Sequence, residues 1–269
     1  MGDTNNENQN QKHFVLVHGS CHGAWCWFKL IPLLKAAGHR VSALNLSASG
    51  TNTKVIHEVT TLHDYTLPLL EFMETIPPEE KVVLVGHSFG GMSISLAMER
   101  FPEKISVAIF LAAFMPDSVH KSSYVLDQYV EKTPGEAWID TQVLPYNNNE
   151  SDADLTSFLF GPKYLSSTLY HLCSAEDIEL GRILVRPASL FLNDLGSVKQ
   201  YTDERFGSVK RVYVVCDEDR TIKEEFQRWM IHNNQTAETK ELKGVDHMPM
   251  ISDPKQVSLC ILEIALAYS

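Results

Sequence analysis

VVLVGHSFGGMS, residues Val82 to Ser93, is the stretch whose reading decides the fold. A β-branched apolar run from Lys81 to Val85 stops at Gly86, and an apolar pattern of helical spacing follows from Met92 to Arg100. Between them Gly86-His87-Ser88-Phe89-Gly90 matches G-x-S-x-G, the pattern of a sharp strand-to-helix bend that carries a nucleophilic serine at its tip. Glycine on either side lets other backbone pass close by, and Gly91 extends that freedom into the helix start. The Ser88 hydroxyl would then lie at a helix N-terminus, where free N–H groups and the dipole favour developing negative charge.

Working outward, the same alternation recurs. Phe14 to His18 reads as a buried strand ending at Gly19, Trp25 to Ala37 as a helix, Val41 to Leu46 as a strand and His63 to Glu74 as a helix. Ile105 to Phe114 is a fully apolar strand. After Met115-Pro116 the strand pattern disappears until about Arg205, giving way to helical pieces, a loop from Pro145 to Asn149 and the aromatics Trp138, Phe158, Phe160 and Tyr164. Alternation resumes with a strand from Arg211 to Cys216, a helix from Glu224 to Ile231, a short strand from Thr239 to Leu242 and a helix from Pro254 to Ala267. This pattern predicts an α/β protein with a mostly parallel sheet, helices on both faces and an inserted mainly helical cap. Residues 13–114 and 206–269 form the expected core, 115–205 the cap and 1–12 a disordered start.

A chain of 269 residues is long enough for one large core. Its net charge of −11 and pI of about 5.4 repel phosphate backbones and anionic lipid, so neither nucleic acid nor a membrane is expected as a partner. The polar start holds no signal-peptide core, which places the expected location in the cytoplasm. The five scattered cysteines show no metal-ligand spacing and read as reduced, mostly buried thiols. Only Cys21 falls in a loop near the expected chemistry.

A serine hydroxyl needs a base to take its proton, and in this fold class the chain order is serine, acid, histidine. Three histidines follow the start of the cap: His171 within it, His232 near a helix end, and His247 in the loop after the last short strand. Only His247 stands where a parallel sheet delivers side chains to its catalytic edge. The acid lies in the turn after Cys216, as Asp217 or Asp219; spacing separates them only slightly, and the unused one reads as a solvated turn residue. Asp246, next to the base in sequence, is too constrained to reach its Nδ1. The oxyanion hole takes one backbone N–H from Phe89, and the other from the loop His18-Gly19-Ser20-Cys21, where Ser20 is best placed.

With these residues assembled, the chain resembles the plant methylesterases: the methyl salicylate and methyl jasmonate esterases, polyneuridine aldehyde esterase and the related hydroxynitrile lyases, all of the α/β-hydrolase fold. The markers are HFVLVHG at His13 to Gly19, HGAWCW at His22 to Trp27, VVLVGHSFGGMS itself, PEKISVAIF at Pro102 to Phe110, RPASLF at Arg186 to Phe191, ERFGSVKRVYVVC at Glu204 to Cys216 and DHM at Asp246 to Met248. The resemblance implies a triad of Ser88, Asp219 and His247, an oxyanion hole at Ser20 and Phe89, and a substrate pocket that includes Trp138. It implies hydrolysis of a small methyl ester without metal or organic cofactor, and by analogy a homodimer. The lyases carry threonine where Gly19 stands and lysine where Met248 stands, so both of these pocket positions point to an esterase. A ligand receptor built on the same skeleton is the rival from a different class; the complete set of three catalytic residue types speaks against it.

Overall fold

The computed structural model describes residues 11–146, 155–234 and 238–268. Among the described residues eight strands run in chain order as β1 (His13–Val17), β2 (Arg40–Leu44), β3 (Val82–His87), β4 (Ile105–Leu111), β5 (Gln142–Pro145), β6 (Thr156–Leu159), β7 (Arg211–Cys216) and β8 (Glu238–Leu242). The helices are α1 (Leu30–Ala36), α2 (Leu62–Thr75), α3 (Gly90–Arg100), α4 (Tyr124–Lys132), α5 (Pro162–Tyr164), α6 (Ala175–Leu184), α7 (Leu192–Ser197), α8 (Glu224–His232), α9 (Pro249–Ser252) and α10 (Pro254–Ala267).

Six strands form one sheet in the order β2-β1-β3-β4-β7-β8, and every neighbouring pair is parallel. Helices must then cover both faces, which is why β1, β3 and β7 are mostly apolar and are buried along their whole length. Strand alternation divides the core in two. Val15 and Val17 of β1 point to one side, with Leu69 of α2, Met92 of α3 and Phe226 of α8. Phe14 and Leu16 point to the other, with Leu34 of α1 and Ile261 of α10. Among the described residues no helix is long and apolar enough to cross a membrane.

The expectations meet this structure closely at β7 and α10 and depart from it in three places. The helix expected over Trp25 to Ala37 is a short turn at Ala24–Trp27 followed by α1. Pro32 has no N–H to give to the Phe28 carbonyl and would break a continuous helix there, whereas in the first turn of α1 its missing N–H costs no intrahelical bond. The strand expected to reach Phe114 stops at Leu111, because Ala112 turns to a φ of +43°. The segment between β4 and β7, expected to lack strands, contains β5 and β6 as an antiparallel pair with Gln142 opposite Leu159, and Phe158 bridges on to Ala188. Four-residue strands flanking an asparagine run carry too little alternation to be seen in sequence. Of the expected loop from Pro145 to Asn149, Pro145 belongs to β5 and residues 147–149 lie outside the described residues. So do residues 1–10 of the expected disordered start; Gln11 and Lys12 are tied to Gly38 and His39 by hydrogen bonds.

Candidate active site

Four strands deliver the predicted residues to one edge. β1 runs into the loop of Gly19 and Ser20, β3 into Ser88, β7 into Asp217 and Asp219, and β8 into the loop of His247. In a parallel sheet the carboxyl ends of all strands lie along the same edge, so residues more than 200 positions apart converge.

Ser88 sits on the bend at a φ of +53°, a left-handed conformation that a non-glycine residue adopts only under strain. What holds it there is a pair of backbone bonds: its carbonyl accepts N–H groups from Gly91 and Phe114, both at 3.0 Å. Gly90 is required for close approach, since a Cβ there would come within 2.6 Å of the carbonyl oxygens of both Val17 and His18. Gly19 faces the serine itself; a Cβ at that position would lie 2.7 Å from Ser88 Cβ and 3.2 Å from its Oγ.

The imidazole of His247 lies between the serine and one aspartate. Its Nε2 is 3.0 Å from Ser88 Oγ and its Nδ1 2.7 Å from Asp219 Oδ2. A carboxylate only accepts, so Nδ1 carries the proton and Nε2 is left to accept from the hydroxyl. Asp219 is in turn held by N–H donors from Thr221 at 2.7 Å and Ile222 at 2.9 Å on its other oxygen. All three side chains are buried.

Asp217 departs from expectation. It is not a merely solvated turn residue: its Oδ1 accepts the Gly244 N–H at 2.7 Å and so anchors the start of the His247 loop, where Gly244 turns at a φ of +66°. Asp246 does not meet the imidazole. Fully buried, it accepts from Met248 N–H and Ser252 Oγ on one oxygen, and from Leu172 N–H and Cys173 Sγ on the other. These anchors carry no local sequence signal, because loop carboxylates that bind backbone look like any acidic turn.

The two amides expected to bind an oxyanion are both directed by their own peptide groups. In a trans peptide the N–H points opposite the preceding carbonyl. The Gly19 carbonyl is engaged by His18 Nδ1–H at 2.8 Å, and the Ser88 carbonyl by Gly91 and Phe114, so the Ser20 and Phe89 N–H groups point away from these bonds. Neither amide finds an acceptor among the described residues.

Buried neutral histidines brace this loop. His18 donates from Nδ1 to Gly19 O and accepts the Leu46 N–H at Nε2, and burial lowers its pKa to about 4. His22 donates from Nδ1 to Ser20 O at 2.7 Å and accepts the Tyr170 hydroxyl at 2.6 Å; burial takes it to about 3. His87 donates to the His247 carbonyl at 2.6 Å, and burial together with the neighbouring His247 holds it well below the usual range. Cys21 is no nucleophile: burial pushes its thiol up to about 12, and it donates to the Phe158 carbonyl.

Trp138 lines a cavity of about 280 Å³ together with Leu155, Phe158, Ser189 and Phe191. Phe191 also packs on Phe89, with ring centroids 6.3 Å apart, so the cavity wall is one side chain from the bend. Met248 is fully buried, in the same apolar cluster as Cys21 and Tyr164. Phe191 and Tyr170 were not singled out by the sequence, since no spacing rule reports which residues of an inserted segment fold back on the sheet edge.

A model of the alpha/beta hydrolase family matches residues 14–258. The chain belongs to that family. Within it, this hydrolase belongs with the plant methylesterases. It is 60% identical over 258 residues to salicylic acid-binding protein 2 of Nicotiana tabacum, covering 96% of this chain and 98% of that one. It is 51% identical over 260 residues to methylesterase 1 of Arabidopsis thaliana, covering 96% and 98% respectively. The crystal structure of polyneuridine aldehyde esterase matches this hydrolase with a TM-score of 0.92 at 49% identity, over 95% of this chain and 99% of that chain.

Proposed function

We propose that the chain is a serine esterase that hydrolyses a small methyl ester by two-step acyl transfer, with Ser88 as nucleophile, His247 as base and Asp219 as its orienting acid. The observation that carries this reading is the continuous contact from Ser88 Oγ through His247 to Asp219, at 3.0 and 2.7 Å. His247 Nε2 takes the hydroxyl proton as Oγ attacks the ester carbonyl, and the tetrahedral oxyanion is held by the Ser20 and Phe89 N–H groups. Imidazolium then protonates the departing methoxide, and methanol leaves. A water enters, gives its proton to the same Nε2 and attacks the acyl-enzyme, which releases the carboxylic acid and restores Ser88. Each oxyanion donor contributes about 3–4 kcal/mol of transition-state stabilisation.

Residues 115–205 act as a cap over the core of 13–114 and 206–269, with Trp138 in the acyl pocket and Gly19 and Met248 as its uncharged neighbours. The apolar, aromatic lining beside Trp138 supports an acid portion that is aromatic or polycyclic. The likeness to polyneuridine aldehyde esterase favours a second form of the same reading, an alkaloid methyl ester; an acid freed with a β-aldehyde or β-imine loses CO2 without further catalysis. Methanol release from a panel of salicylate, jasmonate, indole-acetate and alkaloid methyl esters tests both forms. Ser88→Ala is expected to lower kcat about 10⁶-fold. Wild-type turnover at background, unchanged by that substitution, would instead favour a ligand receptor.

A further inference from the structure

Ser20 carries a second polar group that the scheme above leaves idle. The residue is only 7% exposed, and its Oγ is buried without a hydrogen-bond partner among the described residues. A buried hydroxyl in that state destabilises the fold, and alanine would incur none of that cost. Such an orphan calls for a reason. The backbone around it is otherwise satisfied or assigned: the Ser20 carbonyl is held by His22 Nδ1–H, the Gly19 carbonyl by His18, and the Ser20 N–H is the proposed oxyanion donor.

Covalent geometry limits where the hydroxyl can be. In every staggered rotamer a serine Oγ stays within about 3.8 Å of its own amide nitrogen. The preceding residue is already in contact with the nucleophile, since a Cβ on Gly19 would stand 3.2 Å from Ser88 Oγ. The idle hydroxyl therefore lies within about 3.8 Å of the amide proposed to receive the oxyanion.

We propose that the Ser20 hydroxyl is a third donor to the oxyanion, so that the amide and side chain of one residue close on the same oxygen opposite the Phe89 N–H. Among the described residues the O–H has no acceptor in the free enzyme. As the carbonyl oxygen becomes negative it acquires its partner, and the desolvation already incurred on folding is recovered only in the transition state. A contact of that kind raises kcat rather than substrate affinity. The inference rests on the assignment of Ser88 as nucleophile.

Ser20→Ala separates this role from a structural one, because the two predict opposite signs. As a third donor, its loss lowers kcat about 10–100-fold for a methyl ester and for p-nitrophenyl acetate alike, with KM within about twofold. Tm stays level or rises, since a buried orphan is removed. Affinity for a trifluoromethyl ketone, which forms the tetrahedral adduct, falls in parallel, whereas affinity for the product acid does not. An unchanged kcat overturns the proposal, as does a loss confined to KM or to one of the two esters, or a fall in Tm that accounts for the lost activity. If wild type hydrolyses esters and Ser88→Ala does not, each of these outcomes removes only the role of the hydroxyl. If wild type hydrolyses no ester, the acyl-transfer reading fails and the third donor with it.

Discussion

Asp217 and Asp219 stand two residues apart on one turn, and both serve His247 by different routes. Asp219 binds the ring at Nδ1, while Asp217 binds the backbone at Gly244 three residues earlier. Asp219→Asn would place an amide opposite Nδ1 and favour the wrong tautomer, so kcat should fall about 10⁴-fold with little change in stability. Asp217→Asn keeps an oxygen able to accept the Gly244 N–H, and kcat should stay within about tenfold of wild type. Steady-state hydrolysis of an activated aryl ester checks the pair; equal losses would erase the distinction. Serine and histidine could be read from strand ends and chain order. The choice of aspartate needed the family resemblance, because the dihedral angles of a tight turn decide which carboxylate points inward and spacing does not encode them. The bracing roles of His18 and His22 were hidden for the same reason: each depends on a carbonyl whose direction only the folded loop fixes.

Loops rather than strands are where the elements had to be seen in three dimensions. The strand-helix rhythm located the sheet and both ends of α10, yet it missed β5 and β6, whose four-residue segments are ordered by pairing with each other. The loop between β8 and α9 is likewise organised by partners distant in sequence. Asp246 ties its backbone to Leu172 and Cys173 of the inserted segment and to Ser252 at the end of α9. The thiol remains a donor, because burial and the Asp246 charge push its pKa up. Asp246→Asn leaves one acceptor oxygen for two sets of donors and turns an NH₂ toward the other set. A loss of about 1–3 kcal/mol is expected, read as a lowered urea midpoint at unchanged m. A midpoint equal to wild type would mean that these four bonds contribute nothing net.

At the scale of the whole molecule, the sheet edge that gathers the site also gathers three buried histidines whose charge state links the fold to pH. His18 and His22 are held neutral by burial, with pKa values of about 4 and about 3, and His87 is lowered in the same direction. In the unfolded chain each returns to about 6.5. Above that value neither state binds the proton, and the histidines leave stability independent of pH. As pH falls below 6.5 the unfolded chain takes up protons that the native rings refuse, so stability is lost progressively down to the folded values. Each group contributes up to about 1.4 kcal/mol per pH unit across its window. Protonating His22 in place would also remove the acceptor of the Tyr170 hydroxyl, which would have to turn and accept from Nε2 instead. The urea midpoint should therefore be level from pH 8 to 7 and fall steeply from 6 to 4.5, with unfolding at pH 5 accompanied by net proton uptake measurable by calorimetry in buffers of different ionisation enthalpy. His22→Gln, which keeps a donor and an acceptor but cannot titrate, should flatten that slope; an unaltered slope would place the acid sensitivity elsewhere in the fold.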